Sequence, residues 1–330
     1  MASREYDSTD VGAPQMVGNA AGSLITVLKA VLVDGYEDKP PLGWELMFND
    51  AVNHTAVFRP REGSRMFLRI SDTGAYNNSS GCFARALSYE NMFSADAGIH
   101  SCPIYSDYTD NRAGYIHKAR NNDTNARRWK IVGDSCGFYL LTYVLSTSSL
   151  AWQKNRCSVC YFGDYIPLSS DTVKNKYSWC MITHAPNGYG NNKIGAENSI
   201  MRNPYTLLKG AMTTQINSPI DLIRRVQVNS DDPFYHGNKF NELVMYNNLP
   251  LYGQFMMGTN GMYFGALPGF FEPCTPKTFN THAIYYDELD ENDKLVVTPT
   301  APGYDYDIVA YESHWGRLAF LIGEKFRYVF

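Results

Sequence analysis

The chain is short of charge, has no strong excess of either sign, carries no long apolar run and repeats no catalytic motif. Each shortage removes a class of function. Charged residues make up 19% of the 330 residues while hydrophobic residues reach 44%. A charged share below the usual quarter excludes a disordered, strongly charged chain and fits a protein that buries surface, including surface against partners. The formal net charge is −4, so no global field draws in nucleic acid. Arg127-Arg128 and Arg224-Arg225 are isolated pairs. No apolar stretch reaches the ~20 residues a spanning helix needs. The opening Met1-Ala2-Ser3-Arg4-Glu5-Tyr6-Asp7 is polar and lacks an apolar signal core. The expectation is a protein made in a cytosol, with neither membrane nor nucleic acid as partner.

Cysteine is present in an odd number, at positions 82, 102, 136, 157, 160, 180 and 274. In a chain this long that argues against a disulfide framework and for buried free thiols acting as small hydrophobes. What the chain has in quantity is aromatic residues, 14% with 24 Tyr. Tyr and Phe suit half-buried pleated surfaces, and Tyr is enriched at subunit interfaces, where its ring buries area and its hydroxyl finds a partner.

Residues 1–20 are predicted to form a polar N-terminal arm that orders on a neighbour. Residues 22–33 carry Leu24, Ile25, Val27, Leu28, Val31 and Leu32 at helical spacing, with Ser23 as the expected cap and Asp34-Gly35 as the stop. From Gly43 onward the pattern predicts short strands punctuated by Asn, Asp and Gly. Examples are Gly43–Phe48, Ala56–Arg59, Met66–Ile70, Tyr115–Ala119, Cys157–Phe162, Trp179–Thr183, Tyr252–Met257, Ile308–Tyr311 and Arg317–Ile322. Ala84–Met92 reads as a short helical or extended segment. Val132–Ser135 reads as a hairpin turn, and Gly163-Asp164 as another. The expected fold is mainly β, sandwich- or barrel-like, with few short helices and one N-terminal helix. Residues 21–330 are expected to form one β-rich structural domain, with an internal boundary, if any, near residues 186–200.

Four features suggest chemistry. Asp72-Thr73-Gly74 follows an apolar strand, as an aspartic-protease triplet does, which would make Asp72 the acid of a hydrolase. That chemistry needs two facing carboxylates, and no second Asp-Thr/Ser-Gly occurs. A turn at a strand end is the simpler reading. Cys157 and Cys160 have the spacing of half a zinc site, which Cys180 and His184 would complete; packing is again simpler. Asp287, Glu288, Asp290, Glu291 and Asp293 form an acidic run without the Gly or the phase of a Ca²⁺ loop, so a solvated hairpin tip is expected. Exposed rings such as Tyr189 or Trp179 would suit a host-surface or glycan-binding module. No phosphate loop, dinucleotide fingerprint or nucleophile elbow is present. The sequence therefore predicts no catalytic, cofactor-binding or metal residue and no cofactor.

Six stretches remain: Val31–Tyr36, Arg65–Gly74, Ala126–Asp134, Phe138–Leu141, Tyr161–Tyr165 and Gly265–Phe270. Each pairs apolar or aromatic residues with Gly, Asp or both, apart from the apolar Phe138–Leu141. Together with Gly43-Trp44, and in this order over about residues 20–280, they resemble a family of tailed-bacteriophage virion structural proteins. Ala266 stands where that family leads one to expect Arg. Residues 146–160 and 186–240 look particular to this chain. The resemblance implies a non-enzymatic particle component, head-associated as a vertex, decoration or collar/neck protein, with a tail or baseplate protein as the alternative. Its implied partners are copies of itself and other virion proteins. It carries over no site residue.

Overall fold

The computed structural model describes residues 2–77, 81–102, 114–119, 122, 124–143, 157–167, 172–183, 197–203, 205–208, 243–246, 249–257, 263–273, 307–313, 316–322 and 324–327. Over these the protein is mainly β, built from antiparallel sheets, with a short helix at Ser23–Lys29 and a single α-helical turn at Thr172–Asn175. In chain order the first elements are β1 (Arg4–Asp7), β2 (Met16–Val17), α1 (Ser23–Lys29) and a π-helical turn at Ala30–Asp34. Then come β3 (Trp44–Asp50), β4 (Thr55–Pro60), β5 (Phe67–Ser71), β6 (Tyr76–Asn77), β7 (Gly81–Met92), β8 (Gly98–Cys102) and β9 (Tyr115–Ala119). The middle of the chain gives β10 (Ala126–Arg127), β11 (Trp129–Asp134), β12 (Gly137–Tyr143), β13 (Cys157–Asp164), β14 (Ile166–Pro167), β15 (Trp179–Thr183) and β16 (Glu197–Ile200). The last are β17 (Leu243–Tyr246), β18 (Leu249–Met257), β19 (Tyr263–Pro273), β20 (Asp307–Ser313), β21 (Gly316–Ile322) and a 3-10 turn at Glu324–Arg327.

Three sheets account for most of these strands. The N-terminal sheet runs β3-β4-β5-β7-β6, with β8 and β9 also on β7. The middle sheet runs β1-β11-β12-β13-β15-β16. The C-terminal sheet runs β17-β18-β19-β21-β20, with β14 joined to β19. The middle sheet is covered on both faces. On one face Ile131, Phe138, Leu140, Cys160, Phe162, Trp179 and Met181 share a core with α1 and with Ala56, Phe58, Leu68, Ile70, Ala84 and Ala86 of the N-terminal sheet. On the other, Val132, Tyr139, Leu141, Val159, Tyr161, Cys180 and Ile182 pack with Phe264, Leu267 and Phe326. Successive residues of a strand point to opposite faces, so a strand covered twice must be apolar at nearly every position. Trp129–Asp134 and Trp179–Thr183 are buried at every residue. Each fully buried large apolar side chain contributes roughly 1.5–3 kcal/mol, which makes this sheet the centre of the fold.

Several expectations change. The segment 1–20, read as an arm awaiting a neighbour, folds onto its own chain from Ala2 on. Arg4–Asp7 pairs with β11 in the register Arg4↔Gly133 to Asp7↔Lys130, and Tyr6 and Met16 are fully buried. The polar character misled because it is used inside: Asp7 lies 2.8 Å from the buried Lys130 ammonium. Helix α1 forms where expected, but Ser23 does not cap it. Gly22 is the N-cap at φ 76, and the Ser23 hydroxyl donates to the Val17 carbonyl at 2.8 Å. Ala84–Met92 is extended, within the twelve-residue β7. Gly163-Asp164 is the end of β13, still paired with Cys180 and Trp179. Of the expected boundary near residues 186–200, residues 186–196 lie outside the described residues.

Candidate functional site

Asp72, the acid of the hydrolase reading, sits just past β5. Its side chain and that of Lys118 are both fully buried, with Lys118 Nζ 2.7 Å from Asp72 Oδ1. Asp72 Oδ2 accepts the Leu24 N–H at 2.9 Å, and its carbonyl accepts the Gly22 N–H at 2.8 Å. A residue distant in sequence therefore caps α1, the role expected of Ser23. It satisfies one of the N–H groups a helix start leaves without partners. Lys118 Nζ also donates to the Ala20 carbonyl at 2.8 Å. Burial pulls the Lys118 ammonium below its usual range, and the Asp72 carboxylate opposes that. Gly74 closes the node: at φ 68 a Cβ would lie 2.6 Å from the Asn19 carbonyl oxygen. Both Asp72 oxygens are engaged and neither meets solvent, so the acid-catalyst role is withdrawn for Asp72.

The zinc reading fails on pleat geometry. Cys160 lies in the core shared with α1, while Cys180 lies in the core on the opposite face of the same sheet. A sheet thus separates two of the four proposed ligands. His184 is outside the described residues, and among the described residues no group of three His, Cys, Asp or Glu side chains could hold a metal. Cys82, Cys102, Cys136, Cys160 and Cys180 are free thiols. Trp179 is fully buried, with Nε1 donating to Ser88 Oγ at 2.8 Å; it offers no platform for a sugar ring. Tyr189 and the acidic run 287–293 lie outside the described residues.

The densest polar site joins residues that the sequence presented only as separate Gly-Asp punctuation. Asp134 ends β11 and Asp164 ends β13, both inside the protein. Asp134 Oδ1 accepts the Cys136 and Gly137 N–H groups at 2.8 and 3.0 Å, which tightens the β11–β12 turn. Arg327 meets the same carboxylate as a fork, Nε to Oδ2 at 2.5 Å and Nη2 to Oδ1 at 2.8 Å. Its Nη1 donates to the Asp164 carbonyl at 2.7 Å, as does Tyr161 Oη at 2.7 Å. The Asp164 carboxylate instead accepts the Ser64 N–H at 2.6 Å and the Ser64 hydroxyl. Ser135 Oγ donates to Glu62 Oε2 at 3.0 Å. Burial dominates the Asp164 carboxyl and pushes it up to about 6, against the pull of Ser64 and Arg327. Burial likewise raises the Cys136 thiol to about 11, so it stays protonated at neutral pH and is a poor nucleophile. What this node can do is hold or release one proton near pH 6.

No protein-family model matches the chain, and no curated protein sequence matches it. Its function is therefore argued from the residues themselves.

A third charged group is only partly buried. Glu90 on β7 receives Arg202 Nη2 at 2.8 Å and faces His100 Nδ1 at 2.5 Å. Arg202 stacks over Tyr177 at 4.9 Å from the ring centroid. These contacts tie the segment after β16 to the N-terminal sheet. No part of this group was foreseen, because its members are more than a hundred residues apart at the extremes.

Proposed function

We propose that the chain is a non-enzymatic structural component of a tailed-phage virion, head-associated as a vertex, decoration or collar/neck protein. The observation that carries the reading is the ordered set of Gly/Asp-punctuated stretches, whose acidic residues go into architecture. Asp72 caps a helix, Asp134 closes a hairpin and holds Arg327, and Asp164 anchors the Ser64 loop. Motifs used this way fit a scaffold, as the resemblance implies. The partners in this reading are further copies of the chain and other virion proteins.

The test is mass spectrometry of purified particles, with antibody labelling to place the chain. Its presence at the head or neck in a fixed copy number supports the reading. Labelling at the tail tip would move it to the tail or baseplate alternative. Absence from particles made by an infecting phage that encodes it would overturn the proposal.

A further inference from the structure

Lys118 owes its position to an irregularity in its strand. β9 pairs with β7 through His117↔Phe83 and Ala119↔Cys82, which leaves Lys118 as the extra residue of a β-bulge between the two pairs. Bulges re-aim a side chain. This one turns Lys118 to full burial against Asp72, also fully buried, just past the end of β5. Gly74 lets the chain after Asp72 lie close to Asn19 and Ala21. The Ala20 carbonyl and the Leu24 N–H therefore converge on the same pair.

The bonds around the pair suit an amide better than they suit two ions. Of the three hydrogens an ammonium carries, Lys118 places two among the described residues. One goes to Asp72 Oδ1 at 2.7 Å and one to the Ala20 carbonyl at 2.8 Å. Asp72 Oδ2 accepts the Leu24 N–H at 2.9 Å, while Oδ1 accepts only from Lys118 among the described residues. A secondary amide between Nζ and Cγ needs one acceptor for its N–H and one donor for its oxygen. Ala20 and Leu24 already supply both, and the oxygen to be lost is the one with no other bond to break. Burying two ions carries a desolvation penalty that a hydrogen-bonded amide largely avoids.

We propose that Lys118 and Asp72 condense within the folded chain to an intramolecular amide cross-link. One proton passes along the existing hydrogen bond from the ammonium to Oδ1, giving an amine and a carboxylic acid. The Nζ lone pair attacks Cγ, and the charge developing on Oδ2 meets the Leu24 N–H. Nitrogen gives a second proton to Oδ1, the Cγ–Oδ1 bond breaks, and Oδ1 departs as water. The remaining N–H keeps the Ala20 carbonyl. An ammonium and a carboxylate thus give an amide and one water, with no change in net charge and nothing oxidised or reduced. Burial favours the neutral pair from which the step starts, and it pulls the Lys118 ammonium below its usual range. Two groups held in contact react as if at very high concentration, and exclusion of solvent keeps water from reversing the step. The bond ties the end of β5 to β9 across 46 positions. The inference stands on this node alone, and its test does not depend on where the protein is found.

The experiment is mass spectrometry of the intact chain, purified folded and then denatured, followed by tandem sequencing of its proteolytic peptides. With any removal of Met1 allowed for, the expected mass is one water below that of the sequence. A branched peptide should join Asp72 to Lys118, and trypsin should not cleave after Lys118. Lys118→Arg keeps the cation without the amine, and Asp72→Ala removes the carboxyl; each should show its full sequence mass. A wild-type chain at full sequence mass overturns the proposal, whether or not either variant folds. So does a lost water located elsewhere, such as a succinimide at Asp34-Gly35, or one that persists in Lys118→Arg.

Discussion

Two of the buried ionic nodes among the described residues differ in charge balance. At the Asp72–Lys118 node one carboxylate meets one ammonium, both with no exposure, and the rest of the bonding is to backbone. At the Asp134–Asp164–Arg327 node two carboxyl groups meet one guanidinium, and the second carboxyl is held up to about 6. The first serves as a cap for α1. The second keeps one group poised to titrate and sits where two sheets and the last 3-10 turn meet. One node is a balanced pair that caps a helix; in the other, burial raises Asp164 while Arg327 is committed to Asp134.

The sharpest way to break the comparison is to remove one partner of the balanced node. Lys118→Met leaves the Asp72 carboxylate buried without its cation and is expected to cost about 3–5 kcal/mol. The double change Asp72→Asn with Lys118→Met should recover a good part of that loss. Denaturant titration measures both, and an additive double variant would show that the two groups are not coupled. Phe326→Ala empties a core position beside the unbalanced node and should cost about 3–5 kcal/mol. Its effect belongs to packing, so the loss should be the same at pH 5 and pH 7.5.

The titrating carboxyl predicts a smaller, pH-dependent effect. Because Asp164 has a folded value above its unfolded one, its contribution is fully present below about pH 4 and is lost as pH rises through about 6. Asp164→Asn should flatten stability against pH in that window, by roughly 3 kcal/mol at most. A matched change at Asp72 leaves Asp164 in place, so the slope across that window should persist. Smallest is Trp179→Phe, which keeps a large ring in the core and removes the bond to Ser88 Oγ. About 1–2 kcal/mol is expected by thermal unfolding, with no change in pH profile.

The inner strands β13 and β15 of the middle sheet were legible in the sequence because burial on both faces favours apolar runs. Trp179–Thr183 was read to the residue and Cys157–Phe162 to within two at one end, while the edge strands β1 and β16 were not read as strands. The hairpin at Val132–Ser135 was legible for the same reason that it forms: Asp134 can bond the amides of the turn that follows it. The Gly163-Asp164 stretch carries similar letters and is a strand end instead. Its Gly faces Gly137 across the pairing with β12, a closeness invisible in a linear chain. The N-terminal segment was misread because two buried side chains and one carboxylate facing Lys130 outweigh its polar average.

By itself the sequence determined that this is a β-rich protein with one helix near its start, since periodicity and turn residues act over a few positions. It also marked Asp72, Asp134 and Asp164 as special, by placing them beside Gly at the ends of apolar runs. Only the tertiary structure decided what they do. Lys118 reaches Asp72 across 46 positions and Arg327 reaches Asp134 across 193, and no local pattern encodes a partner that far away. Whether a buried acid becomes a cap, a clamp or a proton store depends on the charge brought against it, and that is set by packing.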